Sequence, residues 1–431
     1  MEALTTQGPA PRRKYRYDRS FILGVINGVL FNLAEATIGG TTVLPIFISQ
    51  ITTSKVLIGL AGTMVAAGLF MPQIIVANLV EHIKRKKPTY VWSGAVRVGS
   101  MWAIALLVAL AGHSSGSFLL AGFFTLFTAY CLAGGVANIP FMDIVAKTVP
   151  TERRGTFFGA RMFFGGIAAA LAGLLVTNVL ASRPFPAGFA LLFIAAAAVV
   201  TAAVVSFSIV SEPAGPSHET RTPFGQFLRK GPLLLRNVKS YRMLFVVRIL
   251  LGVWGMPLPF YILYAQEKLS LAPGSVGILL SIQMIGAFLS NLLWGYLSNH
   301  RGNRIVLVLV SAVAIACPLV TILGVLCLPG PPMVAFGLAF FLIGVAWSGL
   351  SLGYTNYILD VAPVDERPTY LGFMNTFLSP VLLLAAVGGF IIERSSYEVL
   401  FVTAVVAAAG ALVASLELEE PRHKHSHPVE V

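Results

Sequence analysis

A chain of 431 residues with 56% hydrophobic and only 11% charged positions, at a mean hydropathy of +0.82, is not a soluble domain. Such domains carry roughly 25% charged residues. The net charge of +12 does not point to nucleic acid, because the lysines and arginines gather in loops between apolar runs, where an anionic membrane surface accounts for them.

Taken in chain order, residues 1–19, with Pro9, Pro11, Arg12, Arg13 and Lys14, read as a flexible basic arm. Six apolar runs follow, at 20–48, 56–80, 91–111, 117–147, 156–181 and 188–211. A polar stretch, 212–242, divides the chain, and its Phe224–Lys230 part has the make of an amphipathic helix. Six more runs lie at 243–264, 275–298, 305–327, 333–360, 369–392 and 398–416, before a polar tail at 417–431. Each is long enough for the roughly 20 residues that span a bilayer core. The expected fold is an all-α membrane protein with twelve transmembrane helices in two six-helix halves, 20–211 and 243–416, joined by a linker. The first run is too long for the core of a cleavable signal.

If the N-terminus is cytoplasmic, 23 lysines and arginines fall in inner loops and 4 in outer ones, namely Lys55, Arg183, Lys268 and Arg394. That bias places both termini in the cytoplasm of a cell-membrane protein. Cys131, Cys317 and Cys327 lie in apolar segments, where thiols act as small hydrophobes, so no disulfide is expected. His82, His113, His218, His300, His423, His425 and His427 all fall in loops or tails. No metal spacing and no nucleotide-binding glycine loop is present. The reading is therefore no cofactor, no metal and no enzyme. An intramembrane enzyme and a non-transporting sensor are the alternatives from other classes.

The chain also repeats itself. Gly59, Gly68, Gln73, Ala77, Leu79, Glu81, His82 and Lys86, each raised by 218, become Gly277, Gly286, Asn291, Gly295, Leu297, Asn299, His300 and Arg304. Pro150, Arg154 and Gly159 recur as Pro363, Arg367 and Gly372. Gly295-Tyr-Leu-Ser-Asn-His-Arg-Gly-Asn-Arg304 resembles the loop signature of the major facilitator superfamily, with Asn299 where that signature has an acid. The earlier copy lacks both glycines. The resemblance covers residues 20–416 and implies two pseudo-symmetric halves that rock about a central site. It implies that Glu81 latches the cytoplasmic side against the start of helix 11, with Asn299 its neutral counterpart against helix 5. Arg154 and Arg367 would pair with Asp143 and Asp360, and Arg304 completes the loop motif. The alternative is that these are ordinary loop charges.

Glu35 is the one acid far from a helix end. Counted from Ser20 it lies 15 residues in, about 22 Å at 1.5 Å per residue. Asn32 shares its face. A carboxylate there either titrates with conformation, as proton coupling requires, or braces helix 1. Arg97, Arg161 and Arg248 lie some way into helices 3, 5 and 7, and either snorkel or form a basic inner vestibule, with Arg161 able to pair with Asp143. The family lines its cavity with helices 1, 4, 7 and 10. That makes Asn138, Trp254, Tyr261, Trp347 and Tyr354 substrate candidates, joined by Gln283 of helix 8. Helix 5, from Gly159 to Gly173, has no proline, so it departs from the motif of the family's drug exporters.

These residues point to a secondary active transporter of a small organic solute, coupled to protons through Glu35. The partners expected are substrate, proton and lipid bilayer, with the protein acting as a monomer. The lean is to export of a lipophilic or cationic compound. An uptake permease or uniporter for a polar metabolite or organic anion is the alternative.

Overall fold

The computed structural model describes residues 11–80, 83–110, 116–214, 224–270, 275–326, 332–363 and 367–421. All of its regular structure is helical, as a chain in hydrocarbon requires. Backbone groups there find no water, and a helix satisfies them within one segment. The first half contains α1 (Pro11–Ile38), α2 (Val43–Ser49), α3 (Lys55–Phe70), α4 (Gln73–Val80), α5 (Lys87–Ala109), α6 (Gly116–Thr148), α7 (Thr151–Ser182) and α8 (Ala187–Ser208). A linker helix, α9 (Phe224–Asn237), follows. The second half contains α10 (Lys239–Trp254), α11 (Tyr261–Leu269), α12 (Ser275–Arg301), α13 (Asn303–Leu326), α14 (Pro332–Val361), α15 (Arg367–Leu378), α16 (Leu384–Arg394) and α17 (Tyr397–Leu416).

Four of the twelve crossings are broken helices. The first bends between α1 and α2 at Gly39, whose φ of +35° suits a residue without a Cβ. The second bends at Met71–Pro72, the seventh at Gly255–Phe260 and the eleventh at Ser379–Leu383. Prolines 72, 257, 259 and 380 stand at these last three breaks, each removing a backbone donor. Counting unbroken and bent helices together, eleven spans among the described residues are long and apolar enough to cross, and the shorter α3 with α4 supplies the twelfth.

Within the first half α1 packs on α7 and α8, and α5 on α6 and α8. Within the second, α14 packs on α12 and α13, and α17 on α10 and α13. The largest contacts between the halves are α3 against α16 and α7 against α12, with smaller ones between α4 and α15 and between α2 and α11. Small residues let the backbones meet there. A Cβ added to Gly59 would strike the Ala385 carbonyl, one on Gly389 would strike Lys55, and one on Gly173 would strike Ser281.

Two boundaries differ from expectation. Residues 11–19 continue α1 instead of forming a flexible arm, and the seventh crossing starts at Lys239 rather than at 243. Phe224–Asn237 does form a helix, packed through Gly231 on Phe373 and Phe377 of α15.

Candidate transport site and gates

Arg97, Arg161 and Arg248 lie 10, 10 and 9 residues into α5, α7 and α10. At 1.5 Å per residue all three stand about 15 Å from their helix starts, on the side of the basic loops, called the basic face below. Their heads reach different levels, since Arg97 lies over Tyr130 and Arg161 over Phe141, well apart along α6, and their surroundings differ. Arg161 donates to the Gly24 carbonyl and to Asn27 Oδ1 (3.2 Å), and lies over the Phe141 ring at 4.6 Å. It braces α7 against α1, and a Cβ on Gly28 would overlap it. The expected pairing with Asp143 is absent because the side chain turns into the bundle.

Arg97 is held between two rings, 4.4 Å from the centroid of Phe31 and 4.6 Å from that of Tyr130, and donates to the Tyr130 hydroxyl at 3.0 Å. It does not reach for headgroups. Its Nε is buried without a partner. Glu35 stands one helical turn beyond Phe31 on α1. Glu35 is exposed, and its side chain has no hydrogen bond or ion pair among the described residues. Asn32, one face along, donates to Gly28 O at 2.8 Å and packs on Gly165 of α7.

Arg248 lies over the Tyr354 ring at 4.5 Å, and its Nε is also buried and unpartnered. Tyr354 donates to Asn375 Oδ1 at 2.8 Å, and Asn375 donates to Gln73 Oε1 at 3.4 Å. This chain runs from α10 through α14 and α15 to α4, crossing between the halves. The sequence shows Gln73 only as part of the internal repeat and gives no sign of Asn375, because the two stand 302 positions apart.

The remaining cavity candidates separate into two groups. Trp254 and Tyr261 are each 1% exposed, and Tyr261 packs on Phe340 and Phe401 inside the second half. They are core residues in this conformation, placed there by the break in the seventh crossing. Gln283 is buried with an unpartnered Oε1, Asn138 is half-buried, and Trp347 is 47% exposed.

Charges on the basic face are satisfied inside each half. Asp143 pairs with Lys86 at 2.8 Å and with Lys147, which also reaches Glu212 at 2.8 Å. Glu212, just past α8, accepts from the Lys86 and Lys87 amides at 3.0 and 2.8 Å, closing the start of α5. Glu420, just past α17, does the same for the second half, accepting from Arg304 N at 2.9 Å. Gly302, at φ +85°, has no Cβ to block that carboxylate. Asp360 accepts from Asn303 at 2.6 Å, and Arg304 donates to Leu416 O at 2.7 Å. Arg154 does not pair with Asp143. It caps α6 through Val149 O (3.2 Å) and Ala146 O (2.7 Å) instead. Asn299 is exposed, not seated on α7. Glu81, Cys327, the tail histidines and the side chain of Arg367 lie outside the described residues. Cys131 and Cys317 are buried free thiols.

On the opposite face the halves are tied together. Glu393 Oε1 accepts from Lys55 N (2.7 Å), Ser54 Oγ (3.2 Å) and Val56 N (3.3 Å), so a carboxylate of α16 covers the start of α3. Lys55 also pairs with Glu267 of α11, which accepts from Tyr397 at 2.7 Å. Ser281 of α12 donates to Ala170 O of α7 at 2.9 Å. Toward the basic face the halves still meet where α4 packs on α15 and Asn375 donates to Gln73, but nothing lies within 4 Å of a Cβ built on Gly159, Gly295 or Gly372.

A family model described as Major Facilitator Superfamily matches residues 24–379 and again 243–431. The chain belongs to the major facilitator superfamily. Among solved members, a bacterial homologue of the iron transporter ferroportin overlays with a TM-score of 0.72 in its inward-facing state, at 13% identity over 93% of this chain and 98% of that one. The outward-facing, iron-soaked form of that homologue gives 0.63, at 13% identity over 92% and 98% of the two chains. A D-xylose–proton symporter gives 0.69, at 14% identity over 94% and 98%. An uncharacterised protein of Mycobacterium tuberculosis is 23% identical over 290 residues, 64% of this chain. The chain spans about half the length, 55%, of that curated relative. Membership fixes a multi-pass transporter fold. The cargoes named for these neighbours differ too widely to choose one here.

Proposed function

We propose that this protein is a secondary active transporter that moves a small organic solute by alternating access and couples the movement to protons through Glu35. The observation that carries the reading is Glu35 itself: an accessible carboxylate with no ion pair among the described residues, one helical turn beyond the Phe31 ring on which Arg97 stacks with its Nε unpartnered. A group in that position changes its proton affinity when its surroundings change. Rocking of the halves changes them. With the basic face taken as cytoplasmic, the conformation is inward-facing, held shut outside by Glu393, Lys55 and Glu267 and parted inside. The better overlay on the inward-facing ferroportin homologue runs in the same direction.

In the cycle, cargo enters from the open side, the basic-face ends close, and the outer ties at Lys55 release. Protonation of Glu35 removes a negative charge from the span and so alters which side opens at least cost. Export of a lipophilic cation, the lean from composition, meets one accessible acid against three guanidinium groups in the span. The cargo charge therefore becomes the open part of the reading.

The test is thermal stabilisation of the purified protein by a panel of small organic ions between pH 5.5 and 8.5, beside Glu35→Gln. A ligand selective for the folded state raises stability by RT ln(1 + [L]/Kd). Stabilisation that varies with pH in the wild type and is flat in Glu35→Gln is expected. The same pH profile in both proteins removes Glu35 from the coupling role.

A further inference from the structure

The three guanidinium groups differ in what neutralises them. Arg161 is absorbed by a backbone carbonyl and Asn27, and Arg97 donates to the Tyr130 hydroxyl between two rings. Arg248 makes no hydrogen bond and no ion pair among the described residues, and the only group that acts on its charge there is the Tyr354 ring. A charge in the hydrocarbon region costs a few kcal/mol or more, and such residues are kept where they do work on a substrate or ion. Arg248 is half-buried with its Nε enclosed and unpartnered, so its desolvation is offset by no anion in the empty state.

The head is also oriented. Stacking on Tyr354 fixes the guanidinium plane, and the Tyr354–Asn375 hydrogen bond fixes the ring. Asn375 continues to Gln73 in the other half. A planar fork of donors held this way suits the two oxygens of a carboxylate or phosphate. The aromatic ring beside it favours an apolar body attached to that group.

We propose that Arg248, stacked on Tyr354, is the anchor for an anionic group of the cargo, so that the transported solute is an organic carboxylate or phosphate. The proposal rests on the transporter reading and not on the proton role of Glu35. Gln73 makes the site responsive to gating, because an anion drawing on Arg248 shifts the stack that Asn375 ties to the first half.

The test uses full-length protein in nanodiscs and four probes with one common body: benzoate, phenyl phosphate, benzylammonium and benzyl alcohol. Binding is read by calorimetry and by melting temperature, for wild type, Arg248→Gln, Arg248→Lys and Glu35→Gln. Benzoate or phenyl phosphate binds the wild type, while the cation and the alcohol do not. Arg248→Gln raises the anion Kd roughly ten- to hundredfold, the size of a charge-assisted hydrogen bond. Arg248→Lys recovers part of it, since a point charge lacks the fork. Without ligand, Arg248→Gln melts at or above the wild-type temperature, because an uncompensated charge has been removed. A merely structural arginine would give a lower melting temperature and an unchanged anion Kd. That result, no binding of either anion, or preferential binding of benzylammonium overturns the proposal. Anion binding that survives Glu35→Gln with its pH profile intact leaves the Arg248 site standing and removes the coupling role of Glu35.

Discussion

The two ends of the bundle handle charge in opposite ways. On the basic face Asp143, Lys147, Glu212, Asp360 and Glu420 are used within their own halves, closing helix starts and neutralising lysines. On the opposite face Glu393, Lys55 and Glu267 join one half to the other. Packing follows the same division. Gly59, Gly173, Gly277 and Gly389 lie against backbone of the other half, whereas Gly159, Gly295 and Gly372 face open space. The loop signature that identifies the family thus sits at the end that is parted. The end that is closed relies on contacts with no sequence motif. A gate is recognisable by motif where it must rebuild itself in every cycle around loops, and less so where helices meet through small residues.

The strongest way to break this comparison is to fill the closed seam. In Gly389→Leu the new side chain has only the Lys55 and Val56 backbone to move into, and backbone cannot give way as a flexible side chain does. Overpacking of this kind costs about 1–3 kcal/mol, enough to redistribute conformers roughly tenfold or more. Spin labels on Ser182→Cys and Ser395→Cys, one from each half near that face, should read a longer distance in the variant. An unchanged distance distribution would mean that the seam is not what holds the outer side shut.

A gentler perturbation is Glu393→Gln, which keeps an oxygen acceptor and removes the charge. Carboxylates near helix starts contribute about 0.3–1 kcal/mol when exposed, and salt screens them. The same label pair should show a small rise in the open population. Raising the salt concentration should move the wild type toward the variant and leave the variant nearly unchanged. A wild-type distribution indifferent to salt would show that the contact is a bystander.

Much of the architecture was legible before the structure. Twelve apolar runs correspond to crossings, because membrane helices are specified by composition over some twenty residues, and the repeated Gly59, Gly68, Gly277 and Gly286 lie at helix contacts while Gly159, Gly295 and Gly372 do not. The site was less legible. Glu35 and Arg97 stood out as charges within apolar runs, but that Arg97 would stack between Phe31 and Tyr130 depends on three helices meeting. Trp254 and Tyr261 were named because the family lines its cavity with helix 7, and which side of that helix faces the core depends on packing against Phe340 and Phe401 that the sequence does not display. Glu212 and Glu420 were passed over as loop acids. Their signal was present, since each is an acid placed just after the last apolar run of its half.

The smallest expected effect sharpens the comparison from the parted end. Alanine at Gly295 meets no atom within 4 Å in this conformation and adds helix propensity, about 0.5–1 kcal/mol in a helix interior. Gly295→Ala should therefore melt slightly higher than the wild type. The repeat-related glycine at the closed seam behaves oppositely, because a methyl on Gly277 would overlap Gly173 and Thr177. Gly277→Ala should melt lower. If the basic face closes during the cycle, the Gly295 methyl then lies where the other half must approach, and transport in proteoliposomes should slow although the protein is more stable. Equal turnover in Gly295→Ala and wild type would place the closing surface elsewhere, and a lower melting temperature would show that Gly295 is already packed.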